Sequence, residues 1–244
     1  VARVMSVVNV PTSSIARESD LALPIFAGVE VGVASTKAFS STLMVLALLA
    51  LKAAQDRGRL SADEVAVHLT DIALLPGLMN QTLAIEPKIA KIAKDLAKAQ
   101  DILFLGRGTM YPLALEGALK MKEISYIHAE AYASGELKHG PIALIDAQMP
   151  VIVFAPLDSL FEKTVSNMQE VMARHGRVLL VSDNEGLSQA GGECWHTLAM
   201  PKVSELLAPI IYAIPAQLLA YHTAVAKGTD VDQPRNLAKS VTVE

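Results

Sequence analysis

From Asp101 to Gly228 the chain alternates two kinds of segment joined by short connections. DILFLG, VIVFAP and RVLLVSD are brief, apolar and partly β-branched, and HTLAMP is a weaker run of the same kind. Between and after them lie YPLALEGALKMKEISYI, with Pro112 near its first turn, SLFEKTVSNMQEVMARHG, closed by Gly176, and SELLAPIIYAIPAQLLAYHTAVAKG. Nearly continuous apolar strands separated by helices predict a parallel sheet buried on both faces. The expected class is α/β, a doubly wound parallel sheet flanked by helices.

The part before Asp101 reads as the back half of a similar unit. VMSVVNV (Val4 to Val10) predicts a buried strand halted by Pro11, and LALPIFAG is a second short apolar run. Ser35 or Thr36 is placed to cap a helix reaching about Arg57. Ser61 and Glu64 have capping-box spacing for another helix. IEPKIAKIAKDLAKAQ then sets Ile89, Ile92, Ala93 and Leu96 on one face with lysines opposite. The predicted organisation is residues 1–80 as the C-terminal part of a first domain and 81–98 as a helical connection. Residues 99–226 form a complete second domain, followed by a tail at 227–244.

Composition narrows the function classes. Hydrophobic residues are 52% and charged residues 19% of 244, which excludes disorder. A net charge of −4 argues against a nucleic-acid binder. Cys194 is the single cysteine, so neither an intrachain disulfide nor a thiolate metal site is expected, and a reducing cytoplasm is the natural setting. LMVLALLAL (Leu43 to Leu51) and LLAPIIYAIPA (Leu206 to Ala216) fall short of the roughly 20 residues that span a bilayer, so both are expected as buried helices. No signal peptide is evident. The chain opens at Val1 without an initiator Met, as a piece of something longer would.

The chemistry gathers in EISYIHAEAYASGELKHGP, Glu123 to Pro141. Just before it, LFLGRGT supplies Gly106 and Gly108, but Tyr111 stands where a dinucleotide fingerprint needs a third glycine. A plain tight turn explains that motif as well. Glu116, Lys120 and Glu123 share one helix face, an arrangement that an exposed ion pair worth a few tenths of a kcal/mol would also satisfy. The face runs into His128, Glu130, Glu136 and His139, and a histidine beside Gly-Pro suits proton transfer near neutral pH. His128 and His139 lack a standard ligand spacing and lysines interleave them, so no metal and no cofactor is expected. DVDQPRNLAKSVTVE has the pattern of a frayed tail, or else of a flap delivering Lys239 as an imine-forming amine.

Three segments together, GVASTKAF, LGRGTMYPLALEGALKMKEISYIHAEAYASGELKHGP and DQPRNLAKSVTVE, closely resemble the isomerase half of the glutamine–fructose-6-phosphate aminotransferases, built of sugar-isomerase (SIS) domains. The similarity runs essentially from Val4 to Glu244. It implies one complete SIS domain plus the back half of another. It also implies conversion of fructose 6-phosphate and ammonia, released from glutamine by a glutaminase domain, to glucosamine 6-phosphate.

By the same resemblance Glu123 corresponds to the base moving a proton between C1 and C2, and Lys120 to its assisting lysine. His139 corresponds to the ring-opening histidine, contributed across a homodimer, and Lys239 to the tail lysine meeting the sugar carbonyl. Val33, Ser35 and Ala238 correspond to residues lining the sugar. The tail is then expected to close over the site instead of fraying. The family's Ser/Thr-rich phosphate loop, of the form S-x-S-G-x-T, is not found, and neither is the glutaminase domain. The chain alone is therefore expected to be inactive. A non-catalytic sugar-phosphate-binding SIS module is the alternative, and a mere dimerisation body with an exposed sheet edge is a third reading.

Overall fold

The computed structural model describes residues 3–239, which divide into two compact units, one ending at Leu74 and the other beginning at Leu75. In the first unit β1 (Met5–Val8) and β2 (Leu21–Pro24) pair in parallel, Met5 opposite Leu21 and Val8 opposite Pro24. The single-turn α1 (Ser14–Arg17) joins them, capped by Ser13, whose Oγ accepts from the Ala16 N–H at 3.2 Å. β1 is half-exposed, not the buried strand the sequence suggested, because a two-stranded ribbon with one following helix cannot cover both faces.

α2 (Lys37–Asp56) departs further from expectation. Only Leu51 is buried, although LMVLALLAL reads as a core helix. Within this unit two short strands and α3 (Ala62–Ala73) offer too little surface to cover a helix that is apolar around most of its circumference. Neither Ser35 nor Thr36 caps it by its side chain. Instead the Glu30 carboxylate accepts from the N–H groups of Thr36 at 2.8 Å and Ala38 at 3.3 Å, placing negative charge at the positive end of the helix. Among the described residues α2 is also the one helix long and apolar enough to cross a membrane by length and composition, because uncharged residues such as Ser and Thr extend its nine-residue apolar run. The next helix, α3, starts as its sequence predicts. Ser61 Oγ accepts from the Glu64 N–H at 3.2 Å, and Glu64 Oε2 accepts from the Ser61 N–H at 2.8 Å.

The second unit opens with α4 (Leu75–Leu83) and α5 (Glu86–Leu96), the latter burying Ile89, Ile92, Ala93 and Leu96. A five-stranded, wholly parallel sheet follows: β3 (Asp101–Gly106), β4 (His128–Ala133), β5 (Pro150–Phe154), β6 (Arg177–Asp183) and β7 (His196–Met200). Its spatial order is β4-β3-β5-β6-β7. Chain order therefore reverses between β3 and β5, the kind of position where such sheets open a crevice beyond their carboxyl ends.

Alternate residues of each strand serve opposite layers. Leu103, Leu105, Val151, Val153, Val178 and Leu180 pack on α7 (Phe161–Met172), with α8 (Asn184–Ala190) beside it. On the other side, α6 (Met110–Ser125) and α9 (Ala208–Lys227) lie against each other over Phe104 and Phe154, whose rings stack at 6.3 Å. Close approach there depends on Gly117: a Cβ at this position would stand 2.9 Å from the Phe104 ring. α9 is buried along most of its length, as LLAPIIYAIPA suggested.

Among the elements that went unread in the sequence, two belong to this sheet and the layers around it. β4 is an edge strand whose HAEAYA lacks β-branched residues, and α8 is a short helix opened by Asp183 as N-cap. β4 holds its place through backbone pairing along β3, with Asp101 opposite His128 and Gly106 opposite Ala133.

Candidate active site

α6 begins where β3 ends, at a turn that cannot be built with a side chain at Gly106, since a Cβ there would fall 2.1 Å from the Met110 carbonyl oxygen. Gly108 adds a φ of +55°. The two glycines of LGRGT thus serve a tight strand-to-helix turn, which aims α6 along the sheet and carries Glu116, Lys120 and Glu123 on one face.

That face is not solvated. Lys120 is 3% exposed, with side-chain exposures of 12% for Glu116 and 21% for Glu123. Lys120 Nζ donates to Glu123 Oε2 at 2.5 Å and lies 3.5 Å from Glu116 Oε1, within ion-pairing distance but without a hydrogen bond of good geometry. An exposed surface pair does not describe this cluster, because Lys120 is buried and its ammonium depends on the two carboxylates beside it. Burial raises the Glu116 carboxyl above its ordinary value, against the opposing pull of Lys120.

Beyond Glu123 the helix ends at Tyr126 in a left-handed conformation, φ 61°. The C-terminal segment returns to this point. Thr229 Oγ1 donates to the Ile124 carbonyl at 2.6 Å, and the Arg235 N–H donates to Tyr126 Oη at 2.8 Å. The Arg235 guanidinium sits 4.2 Å from the centre of the Tyr126 ring. Between tail and helix lies a cavity of about 410 Å³ lined by Glu123, Tyr126, His128, Arg235, Asn236 and Leu237, among others. The tail through Leu237 is therefore docked beside Glu123 and not frayed. Residues 240–244, the end of the DQPRNLAKSVTVE motif, lie outside the described residues.

Not every residue singled out from the sequence converges. Ala238 and Lys239 are exposed, just past the residues that line the cavity. His139 is also exposed, on a 3-10 segment (Ser134–His139) that follows β4, and its Nδ1 lies 2.8 Å from Glu136 Oε2. The Gly-Pro that follows does impose a rigid turn, with Gly140 at φ 138°. His128 is exposed, its Nδ1 2.9 Å from Asp101 Oδ1. Val33 and Ser35 belong to the first unit, half-buried in the loop before α2. Among the described residues no cluster of three or more His, Cys, Asp or Glu side chains could hold a metal ion. Tyr126 and Arg235, which seat the tail, were missed. The only signal was Arg235 in DQPR, since a tyrosine in a left-handed C-cap position has no sequence mark.

The SIS domain family matches residues 1–52 and 95–227, so α2 falls largely within a recognised domain. The glutamine–fructose-6-phosphate aminotransferase [isomerizing] of Zymomonas mobilis is 61% identical over 242 residues, which is 99% of this chain and 40% of that protein. Its counterpart in Bradyrhizobium diazoefficiens is 60% identical over 240 residues, 98% of this chain and 40% of the relative. This chain thus spans about 40% of the length of the curated relatives it matches.

Among solved structures, the C-terminal domain of glucosamine-fructose-6-phosphate aminotransferase from Francisella tularensis superposes with a TM-score of 0.93 at 45% identity, over 95% of this chain and 65% of that one. Glucosamine-6-phosphate deaminase from Thermotoga maritima shares the fold, with a TM-score of 0.67 at 24% identity over 99% of this chain and 67% of that one. A family match across both stretches, on a parallel sheet whose first helix carries the buried Glu–Lys–Glu cluster, means that the chain belongs to the SIS domain family.

Proposed function

We propose that the chain is the isomerase portion of a cytoplasmic glutamine–fructose-6-phosphate aminotransferase, acting on fructose 6-phosphate with ammonia supplied by a glutaminase domain of the longer protein. The observation that carries this reading is the buried Lys120 joined at 2.5 Å to Glu123, which lines the cavity beside the tail. The near 60% identity to enzymes of that name supports it.

In this reading His139, contributed by the second copy of a homodimer, passes a proton to the ring oxygen and opens the hemiketal. Ammonia then adds at the C2 carbonyl and water leaves, giving an imine. The Lys239 amine stands at the end of the docked tail, suited to meet the same carbonyl, and closure of the tail keeps out water that would hydrolyse the imine. Glu123 removes a proton from C1 and returns it to C2, while the C1 hydroxyl becomes a carbonyl. The sum is fructose 6-phosphate plus ammonia giving glucosamine 6-phosphate plus water. Lys120 balances the charge of Glu123 and fixes its orientation, and Val33, Ser35 and Ala238 line the sugar.

The test is formation of glucosamine 6-phosphate by a protein carrying this chain together with the remaining length of its relatives. Glu123→Gln should lower kcat by at least about a hundredfold with little change in KM, as expected for loss of a general base. Unchanged turnover in that variant would sink the assignment. Binding of the sugar phosphate without turnover in the unaltered protein would instead mark a non-catalytic SIS module.

A further inference from the structure

α7 turns Phe161, Met168 and Val171 into the core, and the same face carries Asn167, only 8% exposed. An amide buried there is costly unless it is hydrogen-bonded, a cost that an apolar residue would avoid. Its partners lead to the 3-10 segment Ser134–His139. The carbonyl oxygens of Ser134 and Lys163 stand 3.2 and 3.0 Å from one end of the amide, whereas Arg107 Nη1 stands 3.4 Å away. The two shorter contacts orient the amide, so its nitrogen donates to both carbonyls.

The segment is fastened at three further points. Ser134 is fully buried, and its Oγ donates to the Gly106 carbonyl at 3.1 Å, tying the segment to the end of β3. Leu137 is fully buried in the same core layer as Phe161, Met168 and Val171. Lys138 Nζ pairs at 2.9 Å with Glu170 Oε1, one turn on from Asn167 along α7. The next residue is His139, whose ring is exposed and whose Nδ1 lies 2.8 Å from Glu136 Oε2 within the same segment. These holds fix the backbone up to His139 and leave its ring in solvent, open to a group that comes from outside the chain.

We propose that Asn167 is a positioning residue for His139, acting through the Ser134–His139 segment to set where the ring-opening proton is delivered. The inference rests on the role given to His139 under the proposed function. Ring opening moves a proton from the C2 hydroxyl to the ring oxygen as the bond from C2 to that oxygen breaks. Displacing the group that relays the proton by about 1 Å slows this step and leaves sugar contacts made elsewhere intact. A ketose phosphate that cannot close a ring does not need the step at all.

The test therefore compares fructose 6-phosphate with 5-deoxyfructose 6-phosphate, which lacks the hydroxyl that closes the ring. The protein is this chain together with the remaining length of its relatives. Asn167→Leu should lower kcat on fructose 6-phosphate about tenfold with KM within about twofold, and leave kcat on the 5-deoxy sugar within about twofold. Glu170→Gln, which frees Lys138 without touching the core, should show the same selectivity with a loss of about threefold, and it carries the test if Asn167→Leu does not fold. His139→Ala sets the scale, with the largest loss on fructose 6-phosphate and little on the open-chain sugar. Equal losses on the two sugars, or undiminished turnover of fructose 6-phosphate in both α7 variants, would overturn the role of Asn167. Failure of His139→Ala to discriminate the sugars, or turnover of neither sugar by the unaltered protein, would overturn the reading of the site and this inference with it.

Discussion

Arg235 meets Tyr126 twice: its guanidinium lies 4.2 Å from the ring centre, and its backbone N–H donates to the phenol oxygen at 2.8 Å. Two contacts from a single ring tie the tail to the end of α6, one turn from Glu123. Loss of the ring should release the tail. In Tyr126→Ala, tryptic cleavage after Arg235 should quicken several-fold while global stability falls by only about 1 kcal/mol, the scale of an exposed cation–π contact. Tyr126→Gly separates the effects, since glycine relieves the left-handed backbone and still frees the tail. Equal cleavage rates in all three proteins would show that the tail is held elsewhere.

Lys120 is sensitive to substitution because its buried ammonium lies between two carboxylates. Lys120→Met leaves Glu116 and Glu123 facing each other in a buried site, and urea unfolding should show a loss on the order of 3 kcal/mol. Glu123→Gln keeps the Lys120–Glu116 pair and should cost clearly less. Similar costs for the two variants would contradict the central role given to the ammonium.

The raised Glu116 carboxyl has a pH signature. In the range above its ordinary value of 4.5 and below its raised folded value, the folded state holds more proton than the unfolded one, so stability falls as pH rises through that window. Glu116→Gln lacks this proton release. Its unfolding free energy relative to the parent should therefore improve from pH 4 upward until the raised value is passed, then level. Thermal unfolding at a series of pH values measures it, and a parallel pair of curves would refute the burial argument.

Cys194 is half-buried against Met168, and burial, aided by the Glu193 charge, pushes its thiol up to about 11. Alkylation by iodoacetamide in the folded protein should be slow at pH 7.5 and accelerate with alkali, whereas the urea-unfolded chain should react fast at once. Rapid labelling of folded protein at neutral pH would be inconsistent with this packing.

Gly117 sets how closely α6 lies on the sheet. A methyl group there would stand 2.9 Å from the Phe104 ring, so Gly117→Ala should destabilise by about 1–3 kcal/mol despite the better helix propensity of alanine. Because α6 carries Glu123, any turnover of the longer protein should fall with it. A stabilised variant with full activity would show the ring to be free to move.

Much of the second unit was legible because its residues state their own environment. DILFLG and RVLLVSD match β3 and β6 residue for residue, and VIVFAP shares four of its six residues with β5, since strands buried on both faces admit only apolar side chains. Ser61 with Glu64 announced α3 through a local hydrogen-bond pattern that needs no distant partner. HAEAYA did not announce β4, because an edge strand is recruited by pairing with β3 and its side chains record little of that. LMVLALLAL announced a helix correctly and its burial wrongly: composition reports what a face would bury against, not whether this unit supplies it.

The candidate site divides the same way. The spacing of Glu116, Lys120 and Glu123 put three charges on one face, a property of helical periodicity alone. Whether that face met water or protein was decided by the packing of α6, which leaves Lys120 almost no solvent and turns a weak surface pair into a buried one. The docking of Arg235 on Tyr126 joins residues 109 positions apart. Local sequence determines helix faces and strand interiors because those depend on near neighbours. Burial of charge, closure of the tail and the making of a pocket depend on which distant surfaces meet, and only the tertiary structure decides that.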